Sequence, residues 1–245
     1  MRSRQYIDEV VLLRERVESW DEYPFCVPSI RNLKKLSLAQ PVTFFMGDNA
    51  SGKTTLLEAI ARLAGLNVEG GGRLHGFSET GRTSQLAEAV RLHGGGITLS
   101  RGNAFFYRAD MFAHMVQAAP IIKRRIGDYE IMADLGVLSR GESFHTLVDI
   151  CFHKSGLYLL DEPEVALPPL QQLAFLRILH ELVQEGSQFI VVSHSPILLA
   201  YPGAVLYEFS ETGIRRQDYE STDHYQTMHA FMLNREKVLR DLLGE

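Results

Sequence analysis

Residues 47–54, Gly47-Asp48-Asn49-Ala50-Ser51-Gly52-Lys53-Thr54, constrain this chain more than any other stretch. They follow Pro41-Val-Thr-Phe-Phe-Met46, a β-branched and aromatic run with the composition of a buried strand. They precede Thr55 to Ala64, in which Leu56, Leu57, Ile60, Leu63 and Ala64 recur at helical spacing. Strand, glycine-bounded loop and helix in that order are the context in which G-x4-G-K-T cradles a phosphate. The glycines let backbone N–H groups close around phosphate oxygens, and the helix turns its positive end toward them. Gly47 to Thr55 are therefore the candidate nucleotide-binding residues. Lys53 is expected to reach the β- and γ-phosphates, the Thr54 hydroxyl to ligate Mg2+, and Thr55 to make a further phosphate contact.

Composition narrows the setting without identifying a function. The 245 residues suit one ordinary domain, and 25 basic against 30 acidic residues leave a net charge of −5. With 45% hydrophobic and 22% charged residues, the chain reads as globular rather than disordered or collagenous. No apolar run reaches the roughly 20 residues a bilayer demands, so no membrane insertion is expected. The basic start, Met1 to Gln5, lacks the apolar stretch of a signal peptide. Two distant cysteines, Cys26 and Cys151, make no disulfide framework, and the expected compartment is a reducing cytoplasm.

Two further apolar runs end in polar tips. Leu157-Tyr-Leu-Leu160 leads into Asp161-Glu162-Pro163, where proline stops the strand and two adjacent acids enter the turn. In a strand neighbouring side chains point oppositely, but a bend at the strand end lets both carboxylates approach the crevice outside the sheet. Asp161 is then expected to hold the Mg2+ shell and Glu162 to deprotonate the attacking water as general base. Gln188-Phe-Ile-Val-Val192 repeats the design and delivers Ser193-His194-Ser195-Pro196. His194 is placed to touch the γ-phosphate or to fix the water and Glu162, so the catalytic candidates are Glu162, His194 and Lys53. The other eight histidines read as structural.

The remaining pattern predicts a wound α/β sheet with an N-terminal antiparallel β portion and a helical lobe. Tyr6 to Leu13 reads as a strand, and Val27 to Leu38 as one or two more. Helices are expected over about Glu142–Lys154, Pro169–Gln184 and Tyr225–Leu243, and a terminal hairpin over 204–216. Between Leu66 and Arg125, eight Lys/Arg (Arg73, Arg82, Arg91, Arg101, Arg108, Lys123, Arg124, Arg125) face four acids, a charge of +4. Residues 66–135 are read as a basic lobe inserted into one domain whose nucleotide-binding core is 1–65 and 136–245.

Gly136-Val-Leu138-Ser139-Arg140-Gly141-Glu142-Ser143 opens a helix before the strand carrying Asp161. Taken alone it is an N-cap or an anion site. In order with the phosphate loop, the acidic pair and the histidine, it resembles the signature of the ATP-binding-cassette (ABC) ATPases. The match is Leu138, Ser139, Gly141 and Glu142, with Arg140 where glycine usually stands. The resemblance implies ATP and Mg2+ as ligands and an ATP-dependent, head-to-tail homodimer. In it Ser139, Arg140, Gly141 and Glu142 would face the partner's nucleotide, with Arg140 adding a phosphate contact in trans. Pro168 stands where the family's loop usually has aspartate, and Phe105-Phe-Tyr-Arg108-Ala-Asp110 occupies the place of a glutamine loop.

The Asp161–Leu167 run, the signature and Ser193–Gly203 look like a group of small predicted ATPases. These are closer to SMC and recombination-repair heads than to transporters. Such heads usually carry a coiled coil between loop and signature, but here the gap lacks sustained heptads. Three classes remain open. One is an ATPase working with nucleic acid or a partner effector protein, the basic lobe being the only support for nucleic acid. Another is the ATP-binding subunit of a membrane transporter. The third is a nucleotide-gated scaffold with negligible hydrolysis, against which Glu162 argues.

Overall fold

The structure, a computed structural model, describes residues 5–72, 83–94, 103–118, 121–126 and 129–244. The chain begins with strand β1 (Glu9–Leu12), a single helical turn α1 (Pro28–Arg31) and β2 (Lys35–Ser37). Strand β3 (Val42–Gly47) then runs into helix α2 (Lys53–Leu63). β4 (Gly71–Gly72), α3 (Thr83–Ala89), β5 (Val90–His93), β6 (Ala104–Arg108) and α4 (Ala109–Ala118) follow, before a hairpin of β7 (Ile121–Ile126) and β8 (Tyr129–Asp134). The second half carries α5 (Arg140–Cys151), β9 (Leu157–Asp161), α6 (Pro169–Gln184), β10 (Gln188–Val192) and the turn α7 (Pro196–Leu199). It ends with β11 (Val205–Ser210), β12 (Gly213–Gln217), α8 (Asp223–Leu233) and α9 (Arg235–Leu243).

Seven strands form the central sheet in the order β12-β11-β3-β10-β9-β6-β4. The five inner strands are parallel, and β12 and β4 close the edges antiparallel. The strands alternate between two cores, as the period of two demands. Phe45, Leu157, Leu159, Ile190 and Val192 face the core shared with α2, whereas Phe44, Met46, Tyr158, Leu160, Phe189 and Val191 face the core under α5 and α6. Burial on both faces explains why these strands read as continuous apolar runs. A second sheet, β2-β1-β5, is antiparallel and covers the α2 side. The buried Gln188 amide ties the two sheets: its oxygen accepts from the Ile7 N–H at 2.9 Å, and its nitrogen donates to the Ile7 and Leu38 carbonyls at 2.8 Å each.

Local signals stop the helices where the core ends. After α2, Gly65 takes φ 75°; its N–H reaches the Arg62 carbonyl at 3.0 Å, and the Leu66 N–H reaches Ala61 at 2.9 Å. Gly186 (φ 86°) closes α6 in the same way, through bonds from Gly186 to Val183 and from Ser187 to Leu182. Both glycines adopt a conformation other residues resist.

The wound α/β sheet and the N-terminal antiparallel portion are as expected, and details of the elements differ. Between Val27 and Leu38 there is one strand and one helical turn, because Pro28 at the first helical position starts α1. The terminal helix is two, broken at Asn234. Among the described residues of 66–135, β5 pairs with β1 and β6 lies beside β9 in the central sheet. Of the sequence features assigned above, Met1–Arg4, Arg73, Arg82 and Arg101 lie outside the described residues, as do the side chains of Lys123, Arg124 and Arg125. Among the described residues no helix is long and apolar enough to cross a membrane, and the longest, α6, has 16 residues.

Candidate functional site

The C-terminal ends of β3, β10, β9 and β6 lie side by side, and each delivers polar residues to the same edge of the sheet. That edge is where wound sheets bind ligands. After β3 the loop turns through Gly47 (φ 123°), Ala50 (φ 61°) and Gly52 (φ 95°) before α2 begins. A Cβ on Gly47 would stand 2.2 Å from the Phe209 carbonyl oxygen of β11, so only glycine fits there. Gly52 caps α2 without a side-chain bond, which leaves the first-turn amides free of a side-chain cap. The loop is braced from α1, where the buried Ser29 hydroxyl donates to the Ser51 carbonyl.

Lys53 is only 4% exposed. Its ammonium donates to the carbonyls of Gly47 (2.8 Å) and Asp48 (2.6 Å) and to Ser51 Oγ (3.4 Å), so it lies folded over its own loop. Burial lowers its pKa, against the fields of Glu162, Asp161 and Asp48. Thr54 Oγ1 donates to Asp161 Oδ1 at 3.1 Å, bringing together the two residues expected to serve a cation. Thr55 Oγ1, expected on a phosphate, is paired with the Tyr23 hydroxyl at 2.5 Å.

Asp161 is 6% exposed. Burial pushes its carboxyl up to about 7, although the nearby Arg108 guanidinium and the Thr54 bond pull it down. Arg108 sits opposite Asp161 in the parallel register of β6 and β9. It forms an ion pair with Glu58 of α2, binds Asp110 through two bonds (3.1 and 2.9 Å) and donates to the Val68 carbonyl at 3.0 Å. The place of a glutamine loop is thus filled by a cation locked among carboxylates.

Glu162 is left-handed (φ 51°, ψ 53°), an uncommon state for a non-glycine residue. This is the bend that the adjacent acids required. Its N–H still bonds the Val192 carbonyl at 3.0 Å. Its carboxylate Oε1 lies 3.7 Å from His194 Nε2. His194 is pinned by Glu164, whose carboxylate accepts the His194 backbone N–H at 2.6 Å. The other ring nitrogen, Nδ1, lies 3.3 Å from His224 Nε2 on α8. Burial, then Lys53, lowers the pKa of His194; burial also lowers that of His224 and raises that of Glu164.

The signature stands apart from this group. Ser139 and Glu142 form a reciprocal capping box: Glu142 N–H donates to Ser139 Oγ (3.4 Å), and Ser139 N–H to Glu142 Oε2 (2.9 Å). That bonding holds the Glu142 carboxyl below its ordinary value. Gly141 is buried, and a Cβ there would meet Gln171 Oε1 of α6 at 2.1 Å. Arg140 is exposed and lines a cleft of about 650 Å³ whose wall also includes Glu162 and Tyr107. Among the described residues, no hydrogen bond or ion pair joins 139–142 to the loop 47–55 of the same chain.

The structure thus brings the loop, the two acids and His194 to one sheet edge, and sets Arg108, Glu164 and His224, which the sequence does not single out for the site, against them. His224, one of the histidines that read as structural in the sequence, lies beside His194. No local motif announced it, since it comes from a helix 30 residues further on.

No curated protein matches this sequence. Among solved structures the chain is similar to the SMC head domain from Thermotoga maritima, at 16% identity over 87% of this chain and 100% of that one, with a TM-score of 0.48. It is also similar to the SmcHead bound to the C-winged helix domain of ScpA, at 13% identity over 86% and 97%, with a TM-score of 0.46. A third is the Smc head domain with coiled coil and joint derived from Pyrococcus yayanosii, at 19% identity over 44% and 22%, with a TM-score of 0.33. A family model matches residues 42–134 and 146–200, more than half of the chain. On that match, and with a phosphate loop set at the end of a parallel sheet, the protein is a P-loop ATPase domain belonging to the family described as "AAA domain, putative AbiEii toxin, Type IV TA system".

Proposed function

We propose that this domain binds Mg-ATP on the loop 47–55, pairs head-to-tail with a second copy around two nucleotides, and hydrolyses ATP to drive a conformational cycle. The observation that carries this reading is the convergence of the Thr54–Asp161 pair (3.1 Å) and the Glu162–His194 pair (3.7 Å) on the mouth of one phosphate loop. The amides at the start of α2 and the Lys53 ammonium bind the phosphate oxygens, for which Lys53 exchanges its carbonyl contacts. Thr54 and Asp161 offer a hydroxyl and a carboxylate, oxygen donors that suit a hard cation. Thr54 and Asp161 would hold a Mg2+ ion there, which would supply neutralisation of phosphate charge. Glu162 accepts the proton of the attacking water, a role its strained turn serves by aiming the carboxylate out of the strand line. His194 orients Glu162 and the water.

Two features of one chain support a second copy. Among the described residues no hydrogen bond or ion pair joins the exposed turn Ser139-Arg140 to the phosphate loop of its own chain, and the exposed apolar residues Val137, Val165 and Leu170 flank it and the turn after Glu162. A partner's nucleotide supplies the anion, and a partner surface covers the apolar residues. Arg140 then contributes its guanidinium in trans. The coupled partner is a nucleic acid or an effector protein.

Turnover and oligomeric mass of the wild type and Glu162→Gln test this reading. Hydrolysis is expected from the wild type, and an ATP-locked dimer with little turnover from the variant. Full activity in Glu162→Gln would remove Glu162 as the base, and a monomer saturated with Mg-ATP would remove the paired arrangement.

A further inference from the structure

We propose that His224 is a positioning residue for His194: its ring decides which nitrogen of His194 carries the proton, and so ties helix α8 to the hydrolytic site. The inference rests on the reading of His194 given above, and it follows from the two contacts of one imidazole. His194 Nδ1 faces His224 Nε2 at 3.3 Å, with the ring centroids 5.5 Å apart and the planes inclined by 46°. His194 Nε2 faces Glu162 Oε1 at 3.7 Å.

A neutral imidazole has one N–H donor and one bare acceptor nitrogen. Were His194 to donate from Nδ1, its bare Nε2 would confront the Glu162 carboxylate, acceptor against acceptor. When His224 donates from Nε2 instead, His194 accepts at Nδ1 and holds its proton on Nε2, toward Glu162. Only this order keeps a bare nitrogen away from the carboxylate: it turns the proton of Nε2, a buried atom without a hydrogen-bond partner among the described residues, toward Glu162 Oε1 at 3.7 Å. Burial holds both rings neutral, helped by Lys53 and opposed by Glu162, Asp223, Glu208 and Asp48.

The donor is itself held in place. His224 is the second residue of α8, and the buried Thr222 caps that helix by accepting the Tyr225 N–H at 3.2 Å. The Tyr219 hydroxyl donates to the Pro196 carbonyl at 2.9 Å, fixing the approach to α8 onto the turn that follows His194. On its open side the histidine pair lines a cavity of about 530 Å³ together with Asp48 and Asn49 of the phosphate loop. A shift of α8 therefore changes the proton position of a ring that faces Glu162.

Two substitutions separate positioning from simple packing. His224→Gln keeps an N–H donor at a similar reach, and His224→Leu keeps bulk without a donor. The His194 tautomer is read by 15N imidazole NMR in the nucleotide-free protein, and turnover and ATP affinity are read beside it. In His224→Leu, His194 is expected to lose its predominant Nε2–H form, with kcat falling about tenfold and ATP affinity held within about twofold. His224→Gln is expected to retain the tautomer and to stay within about threefold of wild-type kcat. An unchanged His194 tautomer in His224→Leu overturns the proposal, as does an equal loss in both variants. His194→Ala with full turnover would instead remove the assigned role of His194, and the tautomer measurement would still decide the pairing.

Discussion

Replacing Asp161 by asparagine should stabilise the metal-free protein while removing its Mg2+ response. The carboxyl is 6% exposed and burial raises its pKa from 3.8 to about 7. A carboxyl titrating higher in the folded state binds its proton more tightly there than in the unfolded chain. Ionising it therefore favours unfolding, and stability falls as pH rises from about 4 to about 7 and stays low above that. At about 1.4 kcal/mol per pH unit between the two values, the cost reaches about 4 kcal/mol near pH 8, about 2 near pH 5, and vanishes below pH 4. Asparagine has no charge to bury, and its amide oxygen still accepts from Thr54 Oγ1. Urea unfolding in chelator, without nucleotide, should show Asp161→Asn more stable than wild type at pH 8 by up to about 4 kcal/mol, with the gain shrinking steadily toward pH 4. Stabilisation by added Mg-ATP should be weakened in the variant. A gain independent of pH, or no gain at pH 8, would refute the burial of an ionisable carboxylate at this strand end.

Other substitutions test separate parts of the site. Gly47→Ala meets both the positive φ and the Phe209 carbonyl, and should cost about 3 kcal/mol in urea unfolding; a loss within experimental error would mean the loop is not held against β11. Gly141→Ala should destabilise the wild type, yet be neutral or stabilising by up to about 1 kcal/mol once Gln171 is cut to alanine. Equal effects in the two backgrounds would show that Gln171 is not the obstacle. Arg140→Ala should leave ATP binding nearly intact and impair turnover, since the residue is exposed and is proposed to serve a partner's nucleotide; equal loss of binding and turnover would count against a role in trans.

What the sequence discloses and what it hides follow the range of the interactions. The phosphate loop, its strand and its helix are contiguous, so spacing alone places Lys53 and Thr54, and the apolar runs before Asp161 and His194 mark the strands that carry them. The ends of α2 and α6 are legible for the same reason, since Gly65 and Gly186 act on their immediate neighbours; the helical turn at Pro28 is not, lying in a stretch that reads as strand. β5 and β6 escaped notice because their burial is decided by strands distant in sequence: β6 pairs with β9, about fifty residues later. In the sequence Arg108 is one of eight cations of the 66–125 stretch, and only the parallel register sets it opposite Asp161. His224 is the extreme case, since its meaning depends on a single contact that no pattern within its own helix encodes.

Where Gly141 lies against the Gln171 amide, the backbone of one turn touches the first turn of α6, whose cap, Pro168, ends the short stretch that begins at Glu162. A hinge needs slack, and this seam has none: atoms already at contact cannot cushion a push. A displacement of the turn at Glu162 is therefore expected to press, through this seam, on the Ser139–Arg140 corner, and one begun at that corner to press back.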